Sequence, residues 1–272
     1  MIANAFRSWK HARRIKAARA EIAGRSFTPR PHGLDAPLVV SLTSYGARLD
    51  AAALVLASVM RQTVRADRVI LWLDEADMDR LPEGVRNSGA EIRVCPHWKS
   101  YKKLVPTLLE VPDAYIVTAD DDLYYGSDWL EGLVAQAGAG VACHRAHRVT
   151  MQGGAPRAYD DWDRNLGAPE AGPLIFPTGV GGVLYAPGVF HPDVTDAEKF
   201  MQLAPSADDI WFYWMHRLAG SRPAKIGGRF RVIEWPGSQV QNLRSANLAS
   251  GAGLGGNDRA LAAMIEAYGW PQ

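Results

Sequence analysis

Residues 114–122 read Ala-Tyr-Ile-Val-Thr-Ala-Asp-Asp-Asp, an apolar, strand-like run that ends in three consecutive carboxylates. In an open α/β sheet, ligands bind outside the carboxyl ends of the strands. Alternate residues of an extended segment point the same way, so Asp120 and Asp122 can share one ion, and their oxygens suit Mg²⁺ or Mn²⁺. These two residues are therefore the predicted metal ligands. The alternative is an acidic turn that caps the next helix.

Length and composition indicate a globular protein with one large domain, or one domain with an appendage. The chain has 272 residues, 47% of them hydrophobic, and a formal net charge of +1. Such a small net charge provides no field that would attract nucleic acid. Cys95 and Cys143 lie in apolar segments without metal-ligand spacing, which predicts buried free thiols and a cytoplasmic location. No run is apolar enough to span a bilayer, and no secretory signal is expected.

The first 30 residues differ in composition from the rest of the chain. They hold eight Lys and Arg residues against one acidic residue, Glu21, and their apolar residues recur at near-helical spacing. Residues 26–37 are rich in proline and predict a linker. We therefore expect a basic N-terminal helix and linker over 1–36 and a second domain over 37–272. Peripheral contact of residues 1–25 with an anionic membrane is one interpretation, and a helix packed on the domain is the other.

From residue 38 onward, strand and helix patterns alternate, which predicts an α/β fold with a mostly parallel, Rossmann-like sheet flanked by helices. Predicted strands cover residues 37–43, 68–73, 91–95, 114–120 and 141–144. Predicted helices cover residues 50–62, 101–110, 127–137, 206–219 and 258–268.

The second half of the chain contains two glycine-rich segments. Gly179, Gly181 and Gly182 fall within four positions, which allows a backbone to approach a ligand closely, although a tight bend explains them equally well. A longer stretch, 236–257, is predicted to be either a flap over a ligand or a plain surface loop. Asp208 and Asp209 open a predicted helix, where two carboxylates also favour the positive helix end.

The order of these segments resembles the GT-A fold of glycosyltransferases, and most closely glycosyltransferase family 2-like bacterial proteins. The resemblance covers residues 37–268. It depends on Ser41-Leu42-Thr43-Ser44-Tyr45 near the start, the acidic triplet, the glycine-rich loop, and Ala207-Asp208-Asp209-Ile210-Trp211-Phe212 near the end. It implies a metal-dependent, inverting glycosyltransferase that uses Mn²⁺ or Mg²⁺. The sugar would pass from a nucleotide-sugar donor to a glycan or lipid-linked acceptor, as in lipopolysaccharide or capsule biosynthesis.

The resemblance also implies roles for individual residues. The family's Asp-x-Asp motif corresponds to Asp120 and Asp122 as metal ligands, with Asp121 between them beside the nucleotide. Its acidic pair corresponds to Asp208 and Asp209 as catalytic residues, and the second member commonly acts as the base. Positions that correspond to its nucleotide-sugar-binding segments are Thr43, Tyr45, Arg48, Asp74, Lys102, Lys103, Gly181 and Gly182.

Two other functions fit the same pattern. One is a GT-A-like sugar nucleotidyltransferase, which makes an activated sugar. Such enzymes usually carry a glycine-rich basic loop after the first strand, whereas residues 43–48 contain a single glycine. The other is a non-catalytic carbohydrate-binding protein of the same fold.

Overall fold

The structure is a computed structural model that describes residues 2–238 and 255–272, without the side chains of residues 2–5 and 7. Most of the stretch 236–257 lies outside the described residues. Arg244, a cation in that stretch that could assist phosphate binding, also lies outside them. In the described part of the chain, the strands are β1 Arg30–Pro31, β2 Leu38–Thr43, β3 Val64–Arg65, β4 Arg68–Leu73, β5 Glu91–Val94, β6 Tyr115–Ala119, β7 Val141–Cys143, β8 Ala146–Arg148, β9 Met151–Gln152, β10 Ala155–Pro156, β11 Glu170–Ala171, β12 Ile175–Pro177, β13 Val183–Tyr185 and β14 Ala224–Lys225. The α-helices there are α1 Ile2–Gly24, α2 Leu49–Val59, α3 Glu83–Arg86, α4 Val105–Glu110, α5 Trp129–Val134, α6 Ala197–Leu203, α7 Asp208–Leu218 and α8 Gly256–Tyr268.

A mostly parallel sheet of eight strands forms the centre of the molecule, in the order β11-β14-β7-β13-β6-β2-β4-β5. Strands β6, β2, β4 and β5 run parallel to one another, and β13 lies antiparallel between β6 and β7. Helices cover the sheet, so the predicted α/β class with a Rossmann-like sheet is confirmed. The antiparallel β13 follows the glycine-rich turn, which reverses the chain direction.

Alternate residues of the parallel strands belong to two separate hydrophobic layers. Val39, Ile70 and Ile116 belong to the layer that contains Trp211 of α7 and Met264 of α8. Their neighbours Val40, Leu71 and Val117 belong to the layer that contains residues of α2 and α5. Both faces of these strands are therefore buried, which explains their nearly continuous apolar sequences.

The predicted basic N-terminal helix is present as α1 and packs on the second layer. Ile15, Ala18 and Ile22 of this helix are buried there. Arg25 follows the helix and donates from Nη1 to the carbonyl of Ser58 at 2.6 Å. The predicted domain boundary after residue 36 stays a prediction. None of the helices that the structure describes is both long enough and apolar enough to cross a bilayer.

All five predicted helices differ from the observed ones at one end or both, by one to four residues. The helix expected over 101–110 is a short 3-10 segment, Lys99–Lys103, followed by α4, because Pro106 has no N–H to donate and fits only the first turn of a helix. In addition, Asn257 lies inside α8, whose N-cap is Gly255. Part of the predicted loop over 150–173 forms the short strands β9, β10 and β11.

His147 on β8 is buried in its neutral form and should make stability depend on pH. Its Nδ1 accepts a hydrogen bond from the backbone N–H of Asn165 at 3.1 Å, which a protonated ring nitrogen cannot do. Burial and the nearby charge of Arg145 lower the pKa of His147 from 6.5 to about 4. The unfolded chain therefore binds a proton that the folded chain excludes. The neutral His147 therefore contributes to the free energy of unfolding above pH 6.5. This contribution falls as the pH is lowered, by about 2 kcal/mol between pH 7 and pH 5.

The measurement is the free energy of unfolding of wild type and His147→Asn at pH 7 and pH 5. The variant should lose about 2 kcal/mol less than wild type on acidification, since asparagine can accept the same hydrogen bond without titrating. His11→Asn, on the exposed face of α1, is the control and should behave like wild type. Equal losses in wild type and His147→Asn would contradict this assignment.

Candidate functional site

A cavity of about 1190 Å³ lies at the carboxyl ends of the parallel strands. Polar residues at the end of each central strand line this cavity, as expected for an open α/β sheet. Among the predicted site residues, those that line the cavity are Thr43, Tyr45, Arg48, Asp74, Lys102, Lys103, Asp120, Asp121, Asp122, Asp208 and Asp209. The structure therefore brings together residues that are up to 166 positions apart, Thr43 and Asp209.

Arg48, which lies just after β2, pairs with two of the three carboxylates of the acidic triplet. One of its terminal nitrogens, Nη2, lies 2.7 Å from Asp121 Oδ1 and 2.6 Å from Asp122 Oδ2. The Ser44 hydroxyl donates to the other oxygen of Asp121 at 2.6 Å. Burial raises the pKa of Asp121 to about 6, and burial with the charge of Asp120 raises that of Asp122 to about 7. The Arg48 cation opposes both shifts and keeps the cluster compact.

The carboxylates that share a cation are Asp121 and Asp122, whereas the sequence pattern favoured Asp120 and Asp122. Strand β6 ends at Ala119, and the chain turns at Asp121, so the alternation of an extended strand does not continue through the triplet. Asp120 points to a different cation, and its Oδ1 lies 3.1 Å from Lys103 Nζ.

The site fits a divalent cation by the chemistry of its donors. Among the described residues, no three His, Cys, Asp or Glu side chains already form a metal-binding group. However, Arg48 occupies the position between two buried carboxylates where a cation is needed. The acidic donors at this position are all oxygens, which Mg²⁺ and Mn²⁺ prefer. The predicted metal ligands Asp120 and Asp122 stay a prediction.

Lys103 links the triplet to the start of α7. Its Nζ lies 3.0 Å from Asp208 Oδ2 as well as 3.1 Å from Asp120, and the Ser100 hydroxyl donates to Asp208 Oδ1 at 2.8 Å. Burial alone would lower the pKa of Lys103, but the surrounding carboxylates raise it well above its usual value. Lys103 is therefore a permanent positive charge in the cavity wall.

Asp209 is half-buried and bonded to the glycine-rich loop. Its Oδ1 accepts the backbone N–H of Gly179 at 2.9 Å. The position of Asp209 at the start of α7 predicts a lowered pKa, because a helix N-terminus stabilises a negative charge, and this prediction is wrong. Burial and the neighbouring charge of Asp208 raise the pKa of Asp209 to about 7. Desolvation of a carboxylate that is removed from water outweighs the partial charge of a helix end.

The glycine-rich loop touches the cavity only through its first two residues, Gly179 and Val180. Gly181 and Gly182 are not among the lining residues; they form the bend into β13. A Cβ on Gly179 would lie 2.6 Å from Lys103 Nζ and 2.9 Å from Asp209 Oδ1, so this position accommodates no side chain. The predicted nucleotide-sugar contacts of Gly181 and Gly182 stay untested, and their observed role is in packing.

Gly182→Ala should destabilise the protein by about 3 kcal/mol or more, through overpacking and backbone strain. Gly182 has φ +91°, and a Cβ there would lie 2.6 Å from the buried Trp129 ring. That ring is fixed because its Nε1 donates to the carbonyl of Gly181 at 2.7 Å. Gly153, with φ +59° and open space around it, is the matched control.

The two alanine variants are compared by urea unfolding. Gly153→Ala should lose only the strain of a left-handed backbone, about 1 kcal/mol. If Gly182→Ala lost no more stability than Gly153→Ala, the contact with Trp129 would not be a rigid one.

Asp74 forms a second charged group at the far end of the cavity. Its Oδ1 lies 2.9 Å from Lys102 Nζ and its Oδ2 2.8 Å from His97 Nδ1. His97 and Ser100 also line the cavity and are not among the predicted site residues. They follow β5 as Asp74 follows β4, so their position just beyond a predicted strand was the available signal.

No protein-family model and no curated protein sequence matches the chain. Solved structures do resemble its fold. A 4-diphosphocytidyl-2C-methyl-D-erythritol synthase is 15% identical with a TM-score of 0.47, and the match covers 75% of this chain and 95% of that one. The synthase of that name from Anaerococcus prevotii DSM 20548 is 11% identical with a TM-score of 0.45 over the same shares. A CMP:2-keto-3-deoxy-manno-octonic acid synthetase complexed with CTP is 13% identical with a TM-score of 0.40, covering 70% and 89%. At these identities the likeness concerns the fold alone.

Two expectations change with these results. Membership in glycosyltransferase family 2 is not confirmed, because no family model matches. The expected enzyme class, an inverting glycosyltransferase that moves a hexosyl or similar group, is wrong, because the neighbours are named as nucleotidyltransferase-type synthases and not as glycosyltransferases. What the structure shows is the α/β fold with its mostly parallel sheet.

Proposed function

We propose that this protein is a metal-dependent sugar nucleotidyltransferase. It would join the nucleotidyl group of a nucleoside triphosphate to a phosphorylated sugar or polyol and release pyrophosphate. The observation that supports this most is the presence of three cations, Arg48, Lys102 and Lys103, in one cavity beside the acidic triplet. Their side chains are only 12%, 3% and 9% exposed.

Buried cations in a cavity of this size favour a ligand with several phosphates. Each cation is neutralised by carboxylates in the ligand-free protein, at distances of 2.6–3.1 Å. Polyphosphate oxygens offer the same charge and the same hydrogen-bond acceptors, so they can replace carboxylate partners without leaving a buried cation unpaired. A neutral sugar provides no such replacement.

Asp120 and Asp122 are the proposed ligands of Mn²⁺ or Mg²⁺, with Asp121 held beside them by Ser44. The bound ion would neutralise the negative charge that develops on the reacting phosphates. The attacking phosphate of the acceptor forms a bond to the α-phosphorus of the triphosphate, and the bond to the pyrophosphate oxygen breaks. Lys102 and Lys103 then stabilise the charge on the leaving pyrophosphate.

Asp208 and Asp209 remain the candidate catalytic carboxylates. Asp208 orients Lys103 through the contact of 3.0 Å. Asp209 has a pKa near that of a phosphate monoester, which is partly protonated at neutral pH. We propose that Asp209 accepts the proton of the attacking phosphate while its hydrogen bond to Gly179 fixes its position.

The nucleoside would lie at the other end of the cavity. Thr43 ends β2 and Tyr45 follows it, whereas Asp74 follows β4 and His97 follows β5. The paired carboxylate and imidazole provide hydrogen-bond acceptors and donors for a ribose or a base.

The test is an incubation of the protein and Mn²⁺ with each common nucleoside triphosphate and a panel of sugar and polyol phosphates, with pyrophosphate release as the readout. Release should require one nucleotide and a phosphorylated acceptor together. Lys102→Met should weaken it, whereas Lys16→Met on the exposed face of α1 should not. No pyrophosphate from any pair, with nucleoside diphosphate released from nucleotide sugars instead, would refute the proposal.

We also propose that residues 1–25 contact an anionic membrane surface peripherally, on the cytoplasmic side. Phe6 and Trp9 of α1 are 53% and 52% exposed and stack with ring centroids 6.0 Å apart. Lys10 and Arg13 lie over these two rings at 4.3 and 4.9 Å. Exposed aromatic rings beside basic side chains are typical of helices that lie in the membrane interface.

Point variants test this contact better than deletion, since Ile15, Ala18 and Ile22 of the same helix are buried in the core. The Phe6→Ser/Trp9→Ser protein should lose co-sedimentation with phosphatidylserine-containing vesicles at any salt concentration. The Lys10→Gln/Arg13→Gln protein should lose about 1 kcal/mol of binding per removed charge, mainly at low salt. Wild-type sedimentation of both variants would exclude the membrane contact.

A further inference from the structure

Carboxylates neutralise the charge of Arg48, but among the described residues one of its nitrogens lacks a hydrogen-bond acceptor. Its Nη2 serves both Asp121 and Asp122, at 2.7 and 2.6 Å. Its Nε is buried and has no hydrogen-bond partner in the part of the chain that the structure describes. The guanidinium is therefore held by the charges of Asp121 and Asp122 and by its contact with Tyr45, whose ring centroid lies 5.6 Å away. Replacement of its charge by another cation would leave only the contact with Tyr45.

The backbone that carries Arg48 is anchored separately from its side chain. The residue ends a short 3-10 segment, Gly46–Arg48, and the N–H of Gly46 donates to Asp77 Oδ1 at 3.0 Å. Asp121 keeps its hydrogen bond from Ser44 without Arg48. The guanidinium can leave the two carboxylates while the loop and the acidic turn stay in place.

We propose that Arg48 is a displaceable internal cation that couples metal binding to phosphate binding. This inference rests on the proposed function. Without metal, the guanidinium neutralises Asp121 and Asp122. A divalent ion bound to Asp122 repels the guanidinium at contact distance and so releases Arg48. The released guanidinium binds the phosphates of the nucleotide, for which its planar, bidentate geometry is suited.

A coupling between the two ligands follows from this exchange. Metal binding has to displace Arg48 when no phosphate is present, and phosphate binding gains Arg48 only after the metal has bound. Each ligand should therefore increase the affinity for the other by the same factor. Arg48 is a substrate-binding residue in this scheme, because its guanidinium contacts the phosphates once the metal has bound.

The first experiment measures Mn²⁺ alone by the electron paramagnetic resonance signal of the free ion. Arg48→Gln removes the competitor and should bind Mn²⁺ about tenfold tighter than wild type, or more, as expected for the loss of a unit charge at contact distance. Lys102→Gln is the matched control, because it removes a charge from the same cavity without touching Asp121 or Asp122. It should change the affinity much less. An Arg48→Gln protein that binds Mn²⁺ no tighter than wild type, or no tighter than Lys102→Gln, would overturn the proposal.

The second experiment uses inorganic pyrophosphate as the phosphate probe, with and without saturating Mn²⁺. Metal-free pyrophosphate should bind wild type and Arg48→Gln with similar affinity, since Arg48 is still paired in wild type. With Mn²⁺ present, the variant should bind it about tenfold more weakly. Equal binding in the presence of Mn²⁺ would refute the release of Arg48. Neither titration requires catalysis, so a failed nucleotidyl transfer assay would not decide these results.

A measurement on wild type covers the case in which Arg48→Gln does not fold. The guanidinium nitrogen signals of ¹⁵N-labelled protein, assigned with Arg48→Lys, should shift when Mg²⁺ is added. Unchanged Arg48 signals at saturating Mg²⁺ would refute its displacement.

Discussion

Asp122→Asn should lower kcat/KM for Mn²⁺-dependent pyrophosphate release by at least about 10²-fold, the scale on which the loss of one preorganised electrostatic contact affects a reaction. Asn has nearly the same shape as Asp but lacks the charge that a divalent ion requires. Asp122 is the residue on which Arg48 and the predicted metal position converge. The same variant should bind Mn²⁺ more weakly in the absence of nucleotide, which makes the prediction independent of the reaction assay.

Asp113→Asn is the control for this substitution, because Asp113 is exposed just before β6 and lies at the other end of the strand from the site. It should retain wild-type activity and Mn²⁺ affinity. Chelation with EDTA should abolish activity in wild type, and added Mn²⁺ or Mg²⁺ should restore it. Activity that persists in EDTA, or in Asp122→Asn at the wild-type level, would contradict the metal role.

Lys103→Met should destabilise the fold by about 3–5 kcal/mol, the typical effect of removing one partner from a buried charge cluster. Methionine fills a similar volume but leaves Asp120 and Asp208 facing each other, with Asp209 nearby, where Lys103 now lies within 3.1 Å of the first two. Because these carboxylates would be desolvated without a counter-ion, they should take up protons. The loss of stability should therefore be smaller at pH 5 than at pH 7.

A double variant separates the charge effect from packing. Lys103→Met combined with Asp208→Asn removes one positive and one negative charge, and it should recover part of the stability that Lys103→Met loses. Lys16→Met, on the exposed face of α1, should change the free energy of unfolding by less than about 0.5 kcal/mol. A comparable loss in Lys16→Met and Lys103→Met would show that the buried cluster does not depend on its central cation.

Much of the framework was readable from the sequence because local patterns report local structure. Strands β2, β4, β5 and β6 lie within a residue or two of their predicted bounds, since continuous apolar runs bounded by polar residues are typical of buried parallel strands. The acidic triplet was recognised for the same reason: it stands directly after such a run. Because parallel strands end at one edge of a sheet, this position was enough to place most of the candidate residues in one cavity.

The functional class was not readable in the same way. The order of segments resembled glycosyltransferases, but the solved structures with a similar fold are named as a synthase and a synthetase and not as glycosyltransferases. A fold supports several reactions, and the site's chemistry has to distinguish them. Here the buried cations favour a ligand with several phosphates, and their burial is not visible in the sequence.

By itself, the sequence determined the α/β class, the parallel strands and the edge of the sheet where the polar residues gather. Only the tertiary structure decided that Arg48 pairs with Asp121 and Asp122, that Lys103 pairs with Asp120 and Asp208, and that burial raises the pKa of Asp209. The physical reason is the distance along the chain over which each kind of interaction acts. Strand propensity and hydrophobic period depend on neighbours along the chain, whereas ion pairing and desolvation depend on side chains that are distant in sequence and meet only after the sheet has formed.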